Sequence, residues 1–288
     1  MQVGTLDEIH RYPVKSMLGE TLAEARVGEL GIPGDRAWAI RDEQRGGIQG
    51  GKKLPGLMGC AARYLEPPGS GPAPAPEISL PDGARFLASD PDAAQRIGAA
   101  IGRELTLWPI VPAENLEHYR RSAPDHPDLQ QELRAIFGRE PGEPLPDIGR
   151  LPPEILVNAS PPGTYFDAFP LLLLSRQSLA SLQRAAPDSH IDVRRFRPNL
   201  LLDAANGAAY PEQDWIGRSL RIGEARLEVA LGCPRCVMTT HGFADLPRDP
   251  RIMRSLVKAA GGNLGVYARV ETPGLVRTGD PVELLPGA

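Results

Sequence analysis

The sequence predicts a β-rich α+β fold, and three observations carry that expectation. Glycine and proline, 31 of each in 288 residues, are spread along the chain rather than gathered in tails, so turns are frequent. The apolar segments between them are short, and several alternate with polar residues, the period of a strand with one buried face. Segments with helical spacing are few and short.

Taken in order, residues 2 to 12 and 21 to 30 read as strands, as do Asp35 to Ile40 and Leu57 to Tyr64. From Pro67 to Pro76, repeated proline locks φ and removes donors, which leaves an exposed loop. Ser89 or Asp90 caps a helix with Pro91 in its first turn. Ala94, Ile97 and Ile101 share one face of it, and Gly102 ends it. A second helix runs from about Asp128 to Phe137. The proline-rich stretch 141 to 163 reads as a long connection, a candidate boundary or lid. Phe169 to Leu174 is an apolar strand. Ser175 then caps a helix carrying Leu179, Leu182 and Ala186, and Pro187 follows. Arg226 to Leu231 alternates as a half-buried strand, and Val237 to Thr240 favours strand by residue type, with a cysteine pair in the turn between. A helix over about Pro250 to Ala260 precedes strands at Leu264 to Glu271 and Pro281 to Leu285.

Composition narrows the function. Hydrophobic residues at 41% and charged residues at 24% describe an ordinary globular chain. A net charge of -4 and a pI near 5.8 argue against a protein that wraps duplex nucleic acid, which needs a basic face. No apolar run approaches the ~18 residues of a membrane span. The first eight residues hold no basic region followed by an apolar core, so no signal peptide is expected. Three cysteines cannot build a disulfide framework here, and the expected location is cytoplasmic.

The pair Cys233-Pro234-Arg235-Cys236 is the most chemical motif. Structural zinc needs two such pairs or matching histidines, and only Cys60 and scattered histidines remain. A c-type haem needs histidine after the second cysteine, where Val237 stands. A thioredoxin-like thiol needs a helix start, and Val237-Met238-Thr239-Thr240 favours strand. What remains is either a buried inert cysteine or a thiolate favoured by Arg235, a soft ligand for a metal centre. Arg195-Phe196-Arg197-Pro198-Asn199 offers two guanidinium forks, read as phosphate or carboxylate binders or as ordinary strand-edge charges. Lys15-Ser16, with Arg36, forms a possible anion-holding turn. Gly46 to Lys52 imitates the start of a P-loop, but Lys53 stands where Ser or Thr must bind Mg²⁺, so the loop is read as a basic loop near an anionic ligand. His241, close to Cys236 in sequence, reads as an acid/base group or as a surface residue at a strand end.

In order and spacing, Tyr12-Pro13-Val14-Lys15-Ser16, Gly34-Asp35-Arg36, Arg197-Pro198-Asn199, Cys233-Pro234-Arg235-Cys236 with Thr239-Thr240, and Thr278-Gly279-Asp280-Pro281-Val282 resemble the MOSC family. The likeness includes its N-terminal β-barrel partner domain and is similar to the mitochondrial amidoxime-reducing components. It implies a MOSC-type β-barrel domain over 164–288, packed with an N-terminal β-barrel-like domain over 1–110, with 111–163 between. It also implies a molybdenum cofactor, molybdenum bound to molybdopterin, with Cys236 as metal ligand and catalytic residue. Lys15, Ser16 and Arg36 would hold the pterin's anionic end, and Arg197, Asn199 and Arg235 would contact the cofactor. Pro234 departs from the serine of the amidoxime reducers, and no membrane anchor or C-terminal ferredoxin domain is seen. The implied activity is reduction of small N-hydroxylated substrates with electrons from a separate ferredoxin- or flavin-type donor. The alternatives are a sulfur carrier using a Cys236 persulfide, or a cofactor carrier.

Overall fold

A computed structural model of the chain describes residues 1–69, 71–205 and 207–286; Ser70, inside the predicted proline-rich loop, lies outside the described residues. In the first half the elements are β1 (Gln2–Arg11), β2 (Glu20–Leu22), β3 (Glu24–Val27), β4 (Trp38–Arg41), β5 (Ile48–Gln49), β6 (Ala61–Arg63), β7 (Glu77–Ser79), β8 (Arg85–Leu87), α1 (Ala93–Ile101), β9 (Thr106–Pro109), α2 (Leu116–Tyr119) and α3 (Leu129–Phe137). The second half holds α4 (Glu154–Val157), β10 (Leu171–Ser175), α5 (Arg176–Ala185), β11 (Leu200–Ala204), β12 (Ser219–Ile222), β13 (Ala225–Pro234), α6 (Arg251–Ala260), β14 (Asn263–Thr272), β15 (Gly274–Arg277) and β16 (Pro281–Leu284).

Seven strands close into a barrel in the order β11-β10-β14-β13-β12-β16-β1, and the pairing of β1 with β11 seals it. Closure leaves no free edge among these staves. β1, from the N-terminal segment, is thus one stave of a barrel otherwise built from residues 171–284. Alternation along β13 explains its placement. Ala225, Leu227 and Val229 point into the barrel core with Leu6, Ile9, Leu220 and Val282. The unbroken leucines of β10 have a different cause. Leu171 and Leu173 fill the barrel, while Leu174 packs outward against Leu182, Ile252 and Leu256 of α5 and α6. A strand buried on both faces has no polar face to alternate with. β10 and β11 are parallel, and α5 supplies the crossover that parallel strands require.

A second core forms between Val14 and Leu105, around Met17, Ile40, Leu57, Ile78 and Ile97. Two small sheets, β5-β4-β9 and β6-β7-β8, enclose it. The fold is therefore β-rich α+β, a closed barrel packed with a smaller N-terminal β unit.

Some expected elements differ. Residues 21 to 30 break into β2 and β3, which pair with different strands. Asp35 and Arg36 form a turn ahead of β4, because Arg36 has φ 49° and cannot continue a strand. Residues 55–59 are a 3-10 turn, and the strand begins at Ala61. Asp92, not Ser89 or Asp90, precedes α1. Cys233 lies within β13 rather than in a turn. Val237–Thr240 is a 3-10 turn, not a strand. There the hydroxyls of Thr239 and Thr240 donate to the carbonyls of Cys236 and Val237, at 3.1 and 2.7 Å. That local bonding outweighs strand propensity. Asp128 caps α3 as expected, accepting from the Gln131 N–H at 2.7 Å, and Gly138 ends the helix in the left-handed region. The longest helices, α5 and α6, have ten residues each, and no described helix is long and apolar enough to cross a membrane.

Candidate functional site

The singled-out residues are linked by direct contacts. Lys15 and Ser16 follow β1 in a tight turn. The Lys15 ammonium is buried and donates to Tyr165 O at 2.7 Å, Asp167 Oδ1 at 2.9 Å and Ser160 Oγ at 3.4 Å. Burial lowers its pKa and Asp167 opposes that shift. Burial alone would raise Asp167, but Lys15 and Lys52 hold its carboxyl well below the usual range. Ser16 Oγ accepts the Gly51 N–H at 2.8 Å, which ties the glycine-rich loop to this turn.

Arg197 donates to the Met17 carbonyl and lies 4.1 Å over the Tyr12 ring, while Arg36 lies 5.0 Å over the same ring. Such stacking suits guanidinium groups held close together. Burial and the neighbouring Arg36 push Arg197 down to about 10. Asp35 is the buried counter-charge. Its carboxylate accepts from the Tyr12 N–H at 2.7 Å, from Asn199 Nδ2 at 3.0 Å and from Arg36 Nη1. Burial works against the charge on Arg36, and Asp35, Tyr12 and Asp167 together outweigh it. Asn199 is almost wholly buried. It also donates to His10 O at 3.3 Å and accepts from the Leu172 N–H at 3.2 Å and Arg36 Nη1 at 3.3 Å. Its amide is spent inside the protein, where it braces Asp35 and Arg36.

Arg235 joins this cluster to the cysteines. Its Nη2 donates to Phe196 O at 2.6 Å and its Nη1 to Cys233 Sγ at 3.0 Å. Burial pushes the Cys233 thiol up, and Arg235 offsets part of that. Cys236 follows at the head of the 3-10 turn, partly exposed, beside Met58, Met238, Phe243 and Leu246. Among the described residues no group of three or more His, Cys, Asp or Glu has metal-holding geometry. His241 is not at a strand end. Burial lowers its pKa, and its Nε2 is enclosed without a partner.

The backbone marks the same residues. Among the described residues four non-glycine positions have positive φ, and three of them are Ser16 (70°), Arg36 (49°) and Arg197 (57°). Each such conformation costs on the order of 1–3 kcal/mol and collects at functional sites. Arg197 Nη2 and Arg235 Nε are buried without a protein partner. Unsatisfied donors of this kind call for an explanation. Sequence reasoning missed Asp35, Asp167 and Tyr165. Asp35 was within reach, because it sits inside Gly34-Asp35-Arg36. Asp167 had no local signal.

The MOSC domain matches residues 161–283, and the MOSC N-terminal beta barrel domain matches residues 3–70. The chain belongs to the MOSC family. The mitochondrial amidoxime reducing component 2 of Bos taurus is 26% identical over 310 residues, covering 98% of this chain and 83% of that protein. The mitochondrial amidoxime-reducing component 1 of Mus musculus is 25% identical, covering 99% and 83%. Among solved structures, the YUAD protein of Bacillus subtilis aligns with a TM-score of 0.43 at 12% identity, covering 98% of this chain and 94% of that one. YiiM of Escherichia coli aligns with a TM-score of 0.33 at 21% identity, covering 42% and 56%.

Proposed function

We propose that this MOSC protein is a molybdenum-cofactor-dependent oxidoreductase that reduces N-hydroxylated compounds with electrons from a separate ferredoxin- or flavin-type donor. One observation carries the reading: three strained residues, Ser16, Arg36 and Arg197, gather with Lys15 and Arg235 beside a partly exposed cysteine. The names of the bovine and murine relatives support the substrate class.

The residues fit such a group. Lys15, Arg36, Arg197 and Arg235 outnumber the nearby carboxylates Asp35 and Asp167, so the cluster favours an anion. The partnerless Arg197 Nη2 and Arg235 Nε are donors in search of an acceptor. Cys236 offers a single soft thiolate, which suits a metal that arrives with other sulfur ligands of its own. Ser16, Arg36 and Arg197 would hold the anionic end, Lys15 would tie their turn to Asp167, Arg235 would fix the cysteine turn, and Asn199 would keep Asp35 and Arg36 in register. When bound, the cofactor would supply a two-electron centre able to take oxygen from nitrogen. The chain's own part is to orient that centre and to keep Cys236 among Met58, Met238 and Phe243, where water is sparse.

The test is elemental analysis of protein purified from a host that makes molybdopterin, with Cys236→Ala in parallel. Stoichiometric molybdenum in the wild type, lost in the variant, is the expected result. Wild-type protein without molybdenum refutes the reading. A Cys236 persulfide formed with a desulfurase and cysteine would then favour a sulfur carrier.

A further inference from the structure

The glycine-rich loop has no part in the cofactor assignment above, yet it is wedged into the same site. A Cβ on Gly50 would lie 2.8 Å from Ser16 Oγ. A Cβ on Gly51 would lie 3.0 Å from Met238 Cε and 3.2 Å from Met58 Cγ. Glycine at both positions lets the segment pass between the Lys15-Ser16 turn and the turn that follows Cys236 without displacing these side chains. The passage brings Lys52 to the Lys15–Asp167 pair, where its ammonium stands 3.6 Å from Asp167 Oδ1.

The two lysines on Asp167 differ in spare valence. An ammonium has three donors. Lys15 uses all three, and its side chain is 9% exposed. Among the described residues Lys52 has only the 3.6 Å ion pair, longer than a hydrogen bond, and its side chain is 34% exposed. Asp167 favours its charge, raising its pKa against burial. Lys15 already neutralises Asp167 at 2.9 Å. Arg121 adds a further positive charge. Its Nη2 is spent on Ile155 O and Asn158 O, at 2.6 and 3.0 Å. Lys53 pairs with Asp125 and Glu132 at 2.7 and 3.1 Å in the neighbouring pocket that Lys52 also lines, so Lys15, Lys52 and Arg121 leave positive charge in excess around Asp167.

We propose that Lys52 is the substrate-recognition cation of this site, and that the substrate class is N-hydroxylated compounds bearing a carboxylate or similar anionic group. The inference rests on the oxidoreductase reading and adds the substrate's charge to it.

The test compares benzamidoxime with 4-carboxybenzamidoxime on the molybdenum-loaded protein with an artificial donor, in wild type, Lys52→Met and Lys52→Arg. Calorimetric titration with benzoate and with benzamide accompanies it. Wild type should prefer the carboxylated probe in kcat/KM. The preference should fall about tenfold in Lys52→Met, mainly through KM, the loss expected for a partly exposed charge-assisted contact. Lys52→Arg should restore most of it. Benzoate, but not benzamide, should bind wild type, and Lys52→Met should weaken it by a similar factor. Equal turnover of both probes by wild type overturns the inference and leaves the oxidoreductase reading standing. Loss of molybdenum from Lys52→Met also overturns it, because Lys52 would then hold cofactor. If wild type turns over neither probe, the oxidoreductase reading has failed, and benzoate binding alone decides for or against Lys52 as the anion-selecting group.

Discussion

Replacing Asn199 with leucine separates two roles that the sequence cannot tell apart. As a cofactor contact, Asn199 would matter only in loaded protein. The structure instead spends its amide on Asp35 at 3.0 Å, His10 O at 3.3 Å, the Leu172 N–H at 3.2 Å and Arg36 at 3.3 Å. Leucine fills a similar volume, so cavity cost is small. The cost lies in stranded polar groups. A buried donor or acceptor left without its partner loses roughly 1–3 kcal/mol. The Leu172 N–H and the Asp35 carboxylate are the two best-placed partners, and together they predict a loss of about 2–6 kcal/mol. Urea unfolding of cofactor-free wild type and Asn199→Leu measures it directly, with an unchanged denaturant slope as the control for two-state behaviour. A loss below about 1 kcal/mol in cofactor-free protein, together with faster cofactor release from loaded protein, would refute the bracing role and return Asn199 to direct contact.

Other outcomes follow from the same geometry. Arg36→Ala should weaken cofactor retention by roughly ten- to a hundred-fold, the worth of one charged hydrogen-bonding group, measured as molybdenum remaining after dialysis. Gly262→Ala should destabilise by at least about 2 kcal/mol. Its Cβ would stand 2.1 Å from Arg139 Nη2 at a φ of 81°, and Arg139→Ala in the same chain should recover part of the loss in thermal melts. Asp128→Ala should cost about 1 kcal/mol through the lost cap of α3, read by urea unfolding. Asp167 titrates below its unfolded value, so its contribution is complete above about pH 4 and fades as pH falls through the folded value. The stability gap between wild type and Asp167→Asn should therefore stay level from neutral pH down to about pH 4 and narrow below it.

Much of the barrel was legible because its strands obey local rules. β13 alternates and β14 and β16 follow turn signals, so their existence needed no tertiary knowledge. α3 was legible from Asp128 and Gly138 at its two ends. Other features depend on distant partners. Arg36 turns left-handed because Asp35, Asn199 and Tyr12 hold it, and none of these constraints shows in a strand-like run. The 3-10 turn after Cys236 reverses a strand propensity through two threonine hydroxyls. Arg36, Arg197 and Asn199 meet around Tyr12 and Asp35, and Arg235 joins Phe196 to Cys233, although their segments lie far apart in the sequence. The meeting of Asp167 with Lys15 and Lys52 did not follow from any motif, because it joins three separate stretches of chain.

The position of β1 has a consequence for biogenesis. β1 is synthesised long before β11 and β16, two of the strands it pairs with. Contacts so distant in sequence form slowly, because loop-closure entropy must be met before any pairing rewards it. The Val14–Leu105 core can assemble early, while β1 waits with Val3, Leu6 and Ile9 uncovered. Apart from its pairing with β2, the nascent strand stays unpaired and apolar until β11 and β16 have been made, the kind of segment that chaperones shield and that aggregates when translation outruns them.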